Sequence, residues 1–434
     1  MLLKFRFSNF RSFRAEQELS LIASTFAGAS DGVFSPPSLT ERVLPSAAIY
    51  GANASGKTAV IRAFEFMTNV VKFSHSQWQP DQLVPVEPFA GDDSALPSEF
   101  SVDFLLGGVR YQYGFAANSQ AILREWLYVY PKGKRQLWFR RTEGVPISFG
   151  AKMPGENKII EGLVRKNSLF LSAAAQNNHE ALSPVYRWFS QSISFVIDHL
   201  GLPGRATYSA NAAQFCLEET DKARITRLIT QADLGIAELS IEDSPFPELS
   251  KKVIELIRTQ SGMSPLTLPE IHKAIRFLHH VGSRTIPFEI EQESNGTLAY
   301  MALLGPLVSV LKYGGILWID ELDTSLHPLM AVHIIRLFGT STSNPRSAQL
   351  VFNTHDTNLL GSGDLRRDQV WFTEKDSTGT SHLYPLTDFK PRRQENLENG
   401  YLPRLSGREG RRQRWESVTA FVAGDLATNR DHAF

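Results

Sequence analysis

The octapeptide GANASGKT, residues 51–58, fits the pattern G-x-x-x-x-G-K-[ST]. Each residue type has a chemical reason to be there. Gly51 and Gly56 let the backbone fold back, so that the N–H groups of Asn53, Ala54 and Ser55 converge on phosphate oxygens. The helix expected after the loop adds the favourable end of its dipole. Lys57 is then placed to reach β- and γ-phosphates, and Thr58 to ligate Mg²⁺. A chance match is the competing reading. The apolar run AAIYG directly before the loop and the amphipathic stretch directly after it weigh against chance.

Far downstream, GGILWIDELDTSLHP is an apolar strand ending in Asp320 and Glu321. Parallel strands carry ligand chemistry at their C-terminal ends. Asp320 is therefore expected beside the phosphate loop, holding Mg²⁺ directly or through water. Glu321 is placed to orient or deprotonate an attacking water. A solvated Asp-Glu turn is the plain alternative. Asp323 follows, where helix capping by Thr324 or Ser325 and contact with a second subunit are both open. QLVFNTHD is another apolar strand, ending at His355. A histidine there is either structural or a γ-phosphate donor, and its place one α/β step after Glu321 favours the donor. ESNGT (293–297) reads on its own as a polar turn entering an apolar helix.

A sheet must hold these residues. Residues 1–25 carry two strand-like runs, 26–44 form a Gly/Ser/Pro-rich loop, and GKTAVIRAFEFMTNVVKF has helical periodicity. From 84 to 150, EFSVDFLL, VRYQYGFAA, REWLYVYP, QLWFRR and VPISFG predict antiparallel hairpins. Residues 160–275, including ALSPVYRWFSQSISFVIDHL, KARITRLITQADLGI and SKKVIELIRTQ, read as mostly helical. Then come strand RTIPFEIEQ, helix 297–312, strand 316–319, helix 327–338, strand 349–353 and strand QVWFTEK, the alternation of a parallel α/β sheet.

Composition narrows the class. Hydrophobic residues make up 42% and charged residues 21%, as in globular proteins. Basic and acidic residues both number 45, so no global field draws polyanions. Local basic candidates are Arg392, Arg393, Arg404, Arg408, Arg411, Arg412 and Arg414, with a solvated basic tail as the alternative. The single cysteine, Cys216, excludes an internal disulfide and a thiolate zinc cage. No apolar stretch is read as long enough to span a bilayer, and the period-two N-terminus is a strand rather than a signal peptide. A cytoplasmic protein without membrane contact is expected.

In this order, GANASGKT, ESNGT, LWIDELDTSLHP and NTHD resemble the ABC-type ATPase heads of the SMC and RecF kind. Within that class the chain is similar to stand-alone bacterial ATPases grouped with the OLD proteins, and closest to the abortive-infection ATPases called RloA or AbiL. NFRSF, NSLFLSAAAQNNH, ADLGI and DQVWFTEK carry the closer likeness, over residues 1 to about 405. The resemblance implies an α/β fold: an ABC-ATPase-type P-loop head with a mixed or parallel sheet core, an N-terminal antiparallel β subdomain and a helical insertion. The implied division is an N-terminal lobe (1–180, its β-rich part about 84–150), a helical insertion or lid (181–282), a C-terminal lobe (283–405) and a polar basic tail (406–434).

The resemblance also implies roles. ESNGT takes the place of the ABC signature, with Ser294 and Gly296 contacting the γ-phosphate of a nucleotide held by another copy. Gln176 would be the Q-loop glutamine, near Mg²⁺ and the attacking water; a cap or turn role for it, Asn177 or Asn178 is the alternative. Asp323 would be the D-loop aspartate, His355 the switch histidine and Glu321 the catalytic base. Arg11 would lie near the nucleotide, or else be a surface arginine between strands. ATP and Mg²⁺ are the implied ligands. Implied partners are a homodimer or higher homo-oligomer closed on ATP, a separately encoded Toprim- or RloB-like effector nuclease, and a DNA or phage-protein trigger. The departures are a short Ser-Asn-Gly-Thr signature, no long heptad run between 180 and 280, and no acidic D-x-D cluster after His355. Transporter coupling, a coiled-coil arm and an attached nuclease are thus not expected. A DNA-binding repair ATPase is the second reading. A metabolic P-loop kinase leaves ESNGT, DELD and THD without a role.

Overall fold

The computed structural model describes residues 1–25, 32–91, 96–197, 218–231, 235–245, 271–282, 284–289, 292–324, 326 and 328–389. Cys216, SKKVIELIRTQ, Ser325 and the C-terminal arginines lie outside these residues.

Strands β1 (Leu2–Ser8) and β2 (Gln17–Ser20) precede β3 (Ser46–Gly51), which leads through the phosphate loop into helix α1 (Lys57–Phe73). Next come β4 (Ser98–Leu106), β5 (Val109–Ala117), β6 (Ile122–Tyr130), β7 (Gln136–Thr142) and β8 (Val145–Phe149). Together with β1 and β2 they form a seven-stranded sheet in the order β2-β1-β4-β5-β6-β7-β8, antiparallel throughout. Helices α2 (Asn157–Glu161), α3 (Phe170–Gln176) and α4 (Ser183–Gln191) lead to β9 (Ile193–Val196). A three-stranded antiparallel sheet follows: β10 (Ile236–Pro245), β11 (Ile271–Val281) and β12 (Arg284–Glu289). The second lobe supplies β13 (Ile316–Ile319), β14 (Gln349–Asn353), β15 (Val370–Lys375) and β16 (Ser381–Pro385).

The core sheet runs β16-β15-β3-β14-β13-β9. Its strands from β15 to β9 are parallel and β16 is an antiparallel edge. Helix α1 is held between this sheet and the seven-stranded one. Phe64 stacks on Trp318 of β13 at 4.5 Å and meets Phe5 of β1 edge-on at 4.9 Å. Alternation divides the core strands. Ile49, Trp318 and Val351 face α1, while Tyr50, Ile319 and Phe352 face the helices Asn295–Tyr313 and Pro328–Gly339. A buried glutamine ties the two lobes: Gln349 accepts from Leu2 N at 2.6 Å and donates to Leu2 O at 2.9 Å. The α/β class with a mixed sheet and an N-terminal antiparallel sheet is what the sequence implies.

The stretch read as mostly helical differs. Helix α4 stops at Gln191, and ISFV forms β9 alongside β13. The run is β-branched and aromatic, and the open edge of β13 gives it a ladder that a helix could not use. The helix Glu219–Gln231 is present, but β10 and β11 then pair over most of their length. Among the described residues one helix, Gly296–Tyr313, is long and apolar enough to cross a membrane, contrary to the reading from hydropathy; 65% of it is buried within the protein. Tyr300, Leu303, Leu304 and Leu307 place it in the core.

Candidate functional site

The phosphate loop is built for close approach. Gly56 has φ 113°, and a Cβ there would lie 2.9 Å from Ser381 Oγ and 3.0 Å from the Phe13 ring. Only glycine fits that conformation without strain. A Cβ on Gly51 would likewise strike Ser55 Oγ and Thr373 Oγ1. Asn53 and Ala54 are exposed at the tip, Ala54 with φ 60°. The Ser55 hydroxyl turns away from the tip and bonds Thr373 Oγ1 of β15 at 2.6 Å, fixing the loop to the sheet. Lys57 is buried, donating to Gly51 O at 2.9 Å and Ala52 O at 3.1 Å.

The acidic strand end meets this loop. Thr58 Oγ1 donates to Asp320 Oδ1 at 3.0 Å. Among the described residues no group of three His, Cys, Asp or Glu side chains could hold a metal. Thr58 and Asp320 are instead the sparse oxygen set that suits Mg²⁺ sharing its shell with water and phosphate. The glycine cradle fits phosphate in the same way. Glu321 is exposed and left-handed, φ 56°, a conformation costing a non-glycine residue about 1–3 kcal/mol. Asn353, fully buried, holds it there: Asn353 Oδ1 accepts from Glu321 N at 2.6 Å while its Nδ2 donates to Asp320 Oδ1. Thr324 Oγ1 donates to Glu321 Oε2 at 2.9 Å, so its bond goes to Glu321. The Asp323 carboxylate accepts from His355 N at 3.2 Å, which ties the two strand ends together.

The ESNGT turn forms its own cap. Ser294 is the N-cap of the helix Asn295–Tyr313; its Oγ accepts from Thr297 N at 3.1 Å. Glu293, just before it, bonds His279 of β11 at 2.6 Å. Among the described residues no hydrogen bond or ion pair joins 293–297 to 51–58. Gln176 stands elsewhere. Its side chain bonds Tyr186, whose hydroxyl donates to Lys72 O at 3.1 Å, in the last turn of α1. That turn lies about 22 Å along the helix from Lys57. The structure thus does not bring Gln176 to the loop. Arg11 is forked on Glu87 at 2.9 Å, beside a cavity of about 340 Å³ along α1; within NFRSF it is Phe13 that abuts Gly56.

Residues 46–361 match the family described as "AAA domain, putative AbiEii toxin, Type IV TA system". The chain belongs to this AAA-domain family. No curated protein matches the sequence. Solved structures with similarity include the SMC head domain from Thermotoga maritima, at 13% identity and TM-score 0.40, over 88% of this chain and 98% of that one. Another is the Smc head domain with an extended coiled coil bound to the C-terminal domain of ScpA from Pyrococcus furiosus, at 15% identity and TM-score 0.37, over 89% and 97%.

Two properties of this AAA-domain site can be measured directly. Burial pushes the Lys57 ammonium down to about 8, while Glu321, Asp323 and Asp320 pull it back up. A phosphate ligand needs the charged form. As pH rises through 8 the free protein loses this proton and binding must recover it. Mg-ATP affinity is therefore expected to weaken by about tenfold per pH unit above 8, with proton uptake in calorimetry at pH 8.5. An affinity flat from pH 7 to 9 would contradict this. Secondly, Asn353 escaped the sequence reading, although a polar residue closing the apolar run QLVF was a signal. Asn353→Leu should lower ATP turnover by about 10- to 100-fold and raise the Mg²⁺ requirement, while ATP affinity changes little.

Proposed function

We propose that the chain binds and hydrolyses Mg-ATP at a composite site formed by two copies facing head to tail. The Thr58–Asp320 contact beside the buried Lys57 is the observation that best supports it. Bound Mg²⁺ would screen phosphate charge and orient the terminal phosphoryl group. Lys57 neutralises the phosphates. Glu321 orients water and accepts its proton, and His355 donates to the terminal phosphate. The helix Asn295–Tyr313 presents Ser294 and Gly296 to the phosphate held by the other copy, the positive end of its dipole foremost. The RloA/AbiL resemblance supports a place in anti-phage defence, and the matched family's description is that of a putative toxin in a type IV TA system. There the chain would act as ATP-driven sensor or scaffold for a separately encoded Toprim- or RloB-like effector.

Subunit mixing tests the composite site. Lys57→Ala and Gly296→Glu should each be inactive alone. A heterodimer of the two holds one intact site, so an equal mixture should recover roughly a quarter of wild-type turnover. A mixture as dead as its parts overturns the shared site.

A further inference from the structure

The solvent face of the seven-stranded sheet carries chemistry that the phosphate site does not use. Along β6 the side chains alternate: Glu125, Leu127 and Val129 are buried, whereas Trp126, Tyr128 and Tyr130 are half-exposed on the other face. Trp126 pairs in register with Gly114 of β5 on one side and with exposed Arg140 of β7 on the other. A Cβ on Gly114 would strike the indole, so the ring lies across β5 in the space glycine leaves. The Arg135 guanidinium covers the Tyr128 ring at 3.8 Å, and that of Arg110 covers Tyr130 at 4.8 Å. The result is a column of aromatic and guanidinium planes along one strand.

Charge on this face is uneven although the chain as a whole is neutral. Arg124 is paired with Glu99 at 2.7 Å, and Arg110 with Asp103. Lys132, Lys134, Arg135 and Arg140 are exposed and have no carboxylate partner among the described residues. Three of them crowd the hairpin between β6 and β7 at the end of the column.

We propose that this face binds single-stranded nucleic acid. Bases stack on Trp126 and on the arginine-capped tyrosines, and phosphates lie along Arg140 and the Lys132–Arg135 hairpin. Alternate residues of a strand stand about 7 Å apart. That is roughly twice the 3.4 Å step of a duplex strand and suits bases drawn apart. A paired duplex buries the base faces this column would need. The surface is independent of the proposed ATPase reading and is tested without nucleotide.

The experiment is fluorescence anisotropy of the full chain with a labelled oligo-dT of about 15 nucleotides, oligo-rU and a blunt duplex of the same length. Single strands should bind at about 50 mM salt, weaken steeply by about 200 mM, and outbind the duplex on the order of tenfold. The dT and rU arms distinguish DNA from RNA. Trp126→Ala and Arg140→Glu should each weaken binding by about tenfold or more, and Trp126→Phe should retain most of it. Unchanged melting temperature and circular dichroism show that the variants are folded. Arg140, being exposed, keeps the test valid should Trp126→Ala fail to fold. Absence of binding at low salt overturns the proposal. So does binding indifferent to both substitutions, duplex binding of equal strength, or equally tight binding of poly-glutamate with the same losses.

Discussion

Glu321→Gln should leave an AAA-domain protein that binds ATP and stays bound to it. Glu321 directly follows Asp320, which meets Thr58, and its carboxylate is near enough to raise the Lys57 ammonium. Glutamine keeps the size and the hydrogen bond from Thr324 but cannot take a proton from water. Turnover is expected to fall by about 10²- to 10⁴-fold, the usual contribution of a positioned base. ATP affinity should be nearly unchanged, because Lys57, Thr58 and the glycine cradle are untouched. Dimers should therefore accumulate with ATP and Mg²⁺ on size-exclusion chromatography coupled to light scattering, and disperse when either is withheld. Wild-type turnover in this variant would remove Glu321 from the chemistry. A loss of ATP binding would mean instead that the loop at 320–324 had collapsed.

The second large effect is expected at Gly296. It lies in the first turn of a helix whose N-cap oxygen accepts from Thr297 N. In the proposed composite site, a glutamate there would set a negative charge and a bulky side chain against the phosphate of the facing copy. Hydrolysis should drop to background, whereas ATP binding by the isolated chain, measured by calorimetry, should stay within about threefold of wild type. The ATP-dependent dimer should also disappear. If turnover survives in Gly296→Glu, the ESNGT turn is no part of the site.

The place of each motif in the fold was legible because it is local. The phosphate loop, the acidic strand end and the capped helix are each written in one short stretch, and the strands 316–319 and 349–353 coincide with the spans read from periodicity. What escaped depends on partners far away in the chain. ISFV is a strand because β13 offers it an edge, not because its periodicity differs from the helix before it. Asn353 looks like any polar residue ending a strand until β14 lies beside β13 and its amide falls between Asp320 and Glu321. Gln176 fitted a family position in sequence, but α3 packs beside the far end of α1 and carries it away.

The order of strands in the core sheet also governs when the site can exist. β3 ends at Gly51, yet its neighbours on both sides, β14 and β15, are made only after residue 349. At about 5–20 residues per second the ribosome needs on the order of tens of seconds to supply them. During that time the strand that carries the phosphate loop has no ladder, and Ser55 has no Thr373 to fix the loop. The antiparallel sheet can close much earlier, once β8 has emerged. The strands of the β layer are thus complete long before those that flank the loop, and the capacity to grip phosphate waits until β15 has been made.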